Sequence, residues 1–115
     1  MFNTNNNLLD SKFSSTITVA SGVEAELLEL VAPKDGSVLQ LFANFSNAIA
    51  FWNSAGAYIQ VLKDGSELIK YDSQTMDATL PVKIPLNFKH VSKISVRAFQ
   101  TSGAPIDVWA ILEAY

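Results

Sequence analysis

Side chains capable of chemistry are few in this chain, and they are scattered. Glu24, Glu26 and Glu29 lie close together, and Glu24 and Glu26 share one face of any strand that carries them. Two converging carboxylates could hold a cation or exchange a proton. No Asp/Asn-Gly loop of calcium-binding spacing surrounds them, however, and outward glutamates on a half-buried strand form its solvated face. His90 is the only histidine. A nucleophilic triad would need it beside a serine and an aspartate, yet the local His-Val-Ser supplies no G-x-S-x-G elbow, and neither a Walker loop nor H-E-x-x-H occurs. A small metal-dependent or hydrolytic β-barrel enzyme would need carboxylates around His90 that the sequence does not place. No catalytic, cofactor-binding or metal-ligating residue is therefore expected.

Two further patterns invite a functional reading. Lys-Asp-Gly-Ser occurs at residues 34–37 and again at 63–66. A calcium or phosphate loop would need more ligands or more glycines than either copy has. Beyond the tetrapeptide only Leu39 and Leu68 match, so no duplicated unit is supported. Asp-Gly between hydrophobic runs is the favoured two-residue hairpin pair, which the second copy fits; the first follows Pro33 and suits a wider turn. The triplet Asn44-Phe45-Ser46 fits a glycosylation acceptor but falls inside an expected strand. Among the aromatic residues, Phe51-Trp52 beside Asn53, Tyr58, and Trp109 with Tyr115 could stack on a sugar or equally line a protein interface.

The elements that must position these residues are strands. At 115 residues the chain fits one domain. Its net charge of −3, with seven lysines and Arg97 dispersed, argues against gripping nucleic-acid phosphates. There are no cysteines, which removes disulfides and thiolate sites. The start, MFNTNNNLLDSKF, has neither the basic nor the apolar region of an export signal, and no uncharged apolar run approaches a membrane span. Synthesis in the cytoplasm with no membrane insertion is the expectation. Charged residues make up only 17% against 49% hydrophobic, so some apolar surface is left for a partner.

Residues 1–13 are Asn-rich with apolar anchors at Phe2, Leu8, Leu9 and Phe13, and read as an extended arm; residues 14–115 form a single β-sandwich domain. In EAELLELVA the alternation slips once, which predicts a bulge near Leu27-Leu28. SVLQLFANF sets Leu39, Leu41, Ala43 and Phe45 on one face, and YIQVL presents Ile59 and Val61 inward. Residues 80–90 alternate cleanly but contain Pro81 and Pro85, which predicts an edge or a broken strand. SNAIAFWNSAGA holds at most one helical turn. In the last strand Val108, Ala110 and Leu112 face one way, and Trp109 and Ile111 the other, so both faces are apolar and a second layer or a neighbouring subunit must cover the latter. Eight or nine strands about ten residues apart mean a sandwich or a barrel, and since the jelly roll is the commonest eight-stranded answer, the expectation is an all-β, antiparallel β-sandwich of jelly-roll type.

The order of an extended arm, TVASGVEAELLELVAPKDGSVLQLF, YIQVLKDGSELI, SKISVRAF and a final DVWAILEAY resembles the small jelly-roll decoration, or cement, proteins on the outside of tailed-phage heads. The resemblance covers nearly the whole chain and is one of pattern. It implies a non-enzymatic homotrimer, without cofactor, seated on the outer capsid surface of the virion and bridging neighbouring major capsid protein subunits. Arm residues Phe2, Leu8, Leu9 and Phe13 would dock on a neighbour, and Trp109, Ile111 and Tyr115 would join a buried contact. The alternative expectation is a carbohydrate-binding module of a fibre or adhesin, stacking sugars on Trp52 and Tyr58.

Overall fold

Short runs of β-branched and aromatic residues, punctuated by Gly, Pro, Asn and Asp, fold into strands throughout the computed structural model, which describes residues 8–72 and 82–115. In chain order these are β1 (Asp10–Phe13), β2 (Ile17–Val19), β3 (Ala25–Val31), β4 (Gly36–Phe45), a helix α1 (Ala48–Asn53), β5 (Tyr58–Lys63), β6 (Ser66–Tyr71), β7 (Val82–Phe88), β8 (Lys93–Phe99) and β9 (Ile106–Ala114). One sheet has the order β1-β9-β4-β7, with β2 continuing along the β1 side of β9; the other has the order β3-β8-β5-β6. All described pairings are antiparallel.

The topology follows one rule. If β1 and β2 count as a single broken strand, the first pairs with the last, β3 with β8, β4 with β7, and β5 with β6. A chain doubled on itself in this nested way, then rolled so that alternate pairs fall in opposite sheets, is a jelly roll, as the sequence predicts. The break between β1 and β2 keeps its backbone groups satisfied. Ser14 N–H donates to the Ala110 carbonyl at 2.9 Å, and its hydroxyl accepts from Ala110 N–H at 2.7 Å.

The last residues of the expected arm are extended and lie on the sandwich. Asp10–Phe13 pairs with Ala114 back to Ile111, which gives central β9 a hydrogen-bonding partner on that side. Leu9 packs against the chain's own core, and Leu8 is exposed. Phe2 lies outside the described residues.

The core lies between the sheets, where Val19, Leu30, Leu39, Leu41, Ile59, Val61, Ile94, Val96, Val108 and Leu112 are buried. Such burial contributes roughly 1.5–3 kcal/mol per large aliphatic side chain relative to exposure. The expected bulge is present: the β3–β8 register shifts between Glu26 and Leu28, and both Leu27 and Leu28 are buried. β7 is the edge strand that Pro85 requires, with Pro85 opposite Val38 and no neighbour on its other side among the described residues; Pro81 lies outside them. α1 starts at Asn47, whose side chain accepts from Ala50 N–H at 3.0 Å, and it buries Phe51 and Trp52 against Phe45.

Candidate functional site

The outer faces of the two sheets are both mixed, and their aromatic residues are grouped differently. On the β3-β8-β5-β6 sheet the pairing sets Glu26 opposite Arg97, Arg97 opposite Gln60, and Glu29 opposite Ser95, with Tyr58 opposite Phe99 in the row beyond Gln60. On the β1-β9-β4-β7 sheet, cross-strand pairing lines up Phe13, Ile111 and Phe42 in one outward row. Trp109 stands opposite Asn44 in the next row, its ring 5.5 Å from that of Phe42. Phe13 is 67% exposed, while Phe42, Trp109 and Ile111 are half-buried. The structure therefore brings together three residues singled out in the sequence, Phe13, Trp109 and Ile111, and adds Phe42, which alternates with core-facing Leu41 and Ala43 along β4.

Tyr115 shares that face but not that cluster. It is held beside Val38 by Tyr115 N–H donating to the Val38 carbonyl at 2.9 Å. A row containing Ser11, Glu113 and Gln40 separates it from the aromatic group. Its phenol donates to Glu113 Oε1 at 3.1 Å, and burial followed by that carboxylate pushes its pKa upward.

The stacking residues of the sugar-binding alternative are placed otherwise. Trp52 is 9% exposed and meets Phe51 edge-on with ring centroids 4.8 Å apart, so it is core rather than an open platform. Tyr58 stacks on Phe99 at 5.3 Å, has Lys70 Nζ 4.5 Å from its ring centroid, and donates its hydroxyl to Glu24. Glu24 also meets Arg97 Nη1 at 3.4 Å. Both the ring and the nearest acidic residue are thus engaged within the chain. Among the described residues, no three His, Asp or Glu side chains converge as a metal site would need.

The two Lys-Asp-Gly-Ser segments each reach the region between β7 and β8. In the second, Asp64 and Gly65 have φ of 50° and 84°, and Lys63 pairs with Ser66, which is the two-residue hairpin expected. The first links β3 to β4 across the sandwich and is a wider connection, also as expected. What the sequence conceals is that both aspartates hold the β7–β8 turn. Asp35 Oδ1 accepts from His90 N–H at 2.8 Å, and Asp64 Oδ1 accepts from Lys93 N–H at 2.9 Å. His90 therefore contributes its backbone to a clasp. The Asp35 carboxyl is held below the usual carboxylate range, first by the His90 N–H and then by the Lys89 charge.

No family model and no curated protein sequence matches the chain. Among solved structures it is similar to the crystal structure of FLHE, with a TM-score of 0.56 and 13% identity over 92% of this chain and 96% of that one. At that identity the likeness establishes a shared fold.

Proposed function

We propose that this protein is a structural virion component: a capsid decoration protein that binds the outside of a phage head as a homotrimer and clamps neighbouring major capsid protein subunits. The observation that carries the reading is the outward row of Phe13, Ile111 and Phe42 with Trp109 beside it, an apolar patch bordered by polar residues such as Ser11, Gln40 and Glu113. A partly exposed aromatic and aliphatic patch with a polar rim is suited to a protein surface. The sequence pattern of strands and turns supplies the specific partner, by resemblance.

The mechanism needs no covalent step. Each copy contributes modest burial of aromatic and aliphatic surface, and a trimer that touches several capsid subunits gains from effective concentration what a single contact lacks. Adding purified protein to shells assembled from the major capsid protein tests the proposal. Saturable co-sedimentation and a raised shell melting temperature are expected; absence of binding at micromolar protein refutes it.

A further inference from the structure

Among the described residues β1 is the one strand with no buried side chain: Asp10, Lys12 and Phe13 are exposed, and Ser11 is half-buried. No β1 side chain hydrogen-bonds or ion-pairs with another described element. Only Leu9, just before the strand, packs half-buried against the core. What holds β1 is its backbone ladder to β9, which runs from Leu9 N–H on the Ala114 carbonyl at 2.7 Å to Ser14 N–H on the Ala110 carbonyl at 2.9 Å. Its continuation β2 is anchored by side chains, since Val19 is fully buried and the Thr18 hydroxyl donates to Asp107 Oδ1 at 2.7 Å.

The ladder is interrupted between the two. From Phe13 opposite Ile111 to Ile17 opposite Val108, three residues, Ser14, Ser15 and Thr16, face only Ala110 and Trp109. The Ala110 N–H is taken by the Ser14 hydroxyl in place of a backbone carbonyl, and Ser15 and Thr16 are exposed. A bulge beside an anchored strand lets the terminal segment open while β2 and the core stay folded. An open β1 leaves the N–H and carbonyl groups of central β9 without partners on that side, so the seat calls for another strand. The structure shows which strand fits it: Asp10–Phe13 itself, antiparallel, with Phe13 opposite Ile111. A second copy of the chain carries that same strand.

We infer that β1 is an exchangeable strand: where copies of the chain stand side by side, β1 of one copy pairs with β9 of the next in the register seen within one chain. Its own tether keeps β1 near β9 at an effective concentration of millimolar order, so a free copy at micromolar concentration retains its strand. In a homotrimer a neighbour's strand is present at comparable local concentration, and identical seats accept either one. Exchange ties the copies by main-chain hydrogen bonds and carries Phe13 of one copy into the Ile111–Phe42 row of another. The inference rests on the homotrimer proposed above and names the element that links it.

The chain has no cysteine, so introduced ones report the pairing cleanly. Counted from the bonded Ser14–Ala110 position, Ser11 and Glu113 form a non-hydrogen-bonded pair, whose Cα atoms lie about 4.5 Å apart, within reach of a disulfide. Ser11→Cys and Glu113→Cys proteins, each with its single cysteine, are refolded together from denaturant at millimolar concentration, oxidised in glutathione buffer and mapped by mass spectrometry. A bond between position 11 of one chain and position 113 of the other requires exchange. It should form at least tenfold more than the bond in a parallel mixture of Ser11→Cys with Gln60→Cys, whose cysteine lies on the opposite sheet. In the parent, the Lys12 amide should be at least tenfold less protected from hydrogen exchange than that of Val96 in the core. A cross-link no more frequent than the control, or a Lys12 amide as protected as Val96, would overturn the inference. Shell co-sedimentation of the parent separates the two readings: shell binding without the cross-link removes strand exchange and leaves decoration standing, whereas the cross-link without shell binding supports exchange and refutes decoration.

Discussion

Tyr58 shows how a polar residue is committed at the level of single atoms. Its pKa is pushed up to about 12, chiefly by burial and then by the hydrogen bond it donates to Glu24. A phenol whose pKa is raised on folding contributes stability that is fully present below the ordinary value near ~10 and is lost as pH rises through its folded value. In an ultraviolet alkaline titration the Tyr58 phenol should ionise near pH 12. Glu24→Gln should bring that transition down only part of the way, since burial is the larger cause. An unchanged titration in the variant would show that Glu24 does not hold the phenol. At this scale the sequence was only partly readable. Trp52 and Tyr58 carry the residue types of a sugar platform, but whether an aromatic ring is free depends on what packs against it, and Phe45, Phe51 and Phe99 decide that through folding.

At the scale of elements, the two Lys-Asp-Gly turns look alike in sequence and use their glycines differently. Gly65 supplies the left-handed conformation of a hairpin. Gly36 supplies space: a Cβ there would lie 2.1 Å from Phe88 Cζ and 2.6 Å from the Tyr115 carbonyl oxygen. Gly36→Ala should therefore destabilise the protein by about 1–3 kcal/mol, the usual cost of overpacking, seen as a lowered denaturation midpoint at unchanged m-value. An alanine variant as stable as the parent would mean that Phe88 can move aside freely. The Asp35 clasp carries a pH signature. Its carboxyl is depressed on folding, so its contribution is present above the unfolded carboxylate range and is lost as pH falls through the lower folded value. The protection of the His90 amide, its exchange relative to the intrinsic rate at each pH, should accordingly fall as pH drops below the ordinary carboxylate range, and Asp35→Asn should show reduced protection already at neutral pH; equal protection in both proteins would contradict the clasp. Strand positions, the β3 bulge and the β7 edge were legible because alternation, its slip and proline each act locally. The shared target of Asp35 and Asp64 was not, since it joins residues 55 and 29 positions apart.

For the whole molecule, the nested pairing of first strand with last explains why β9 is apolar on both faces. It is the central strand of its sheet, buried beneath by Val108, Ala110 and Leu112 and covered above only in part. The sequence posed that alternative, a second layer or a neighbour, and the fold leaves no second layer on that side among the described residues. It could not place Phe13 there, because a short polar stretch with one phenylalanine reads as an arm until β9 supplies its partner. The central claim is that the outer face of this sheet binds the capsid. It is tested most directly by co-sedimenting with assembled shells two variants of similar folded stability, checked by circular dichroism. Ile111→Lys places a charge in the middle of the apolar row, and Gln60→Lys places the same charge on the opposite sheet. Ile111→Lys should lose at least tenfold in shell affinity while Gln60→Lys binds like the parent; equal binding by both, or loss confined to Gln60→Lys, would contradict the account.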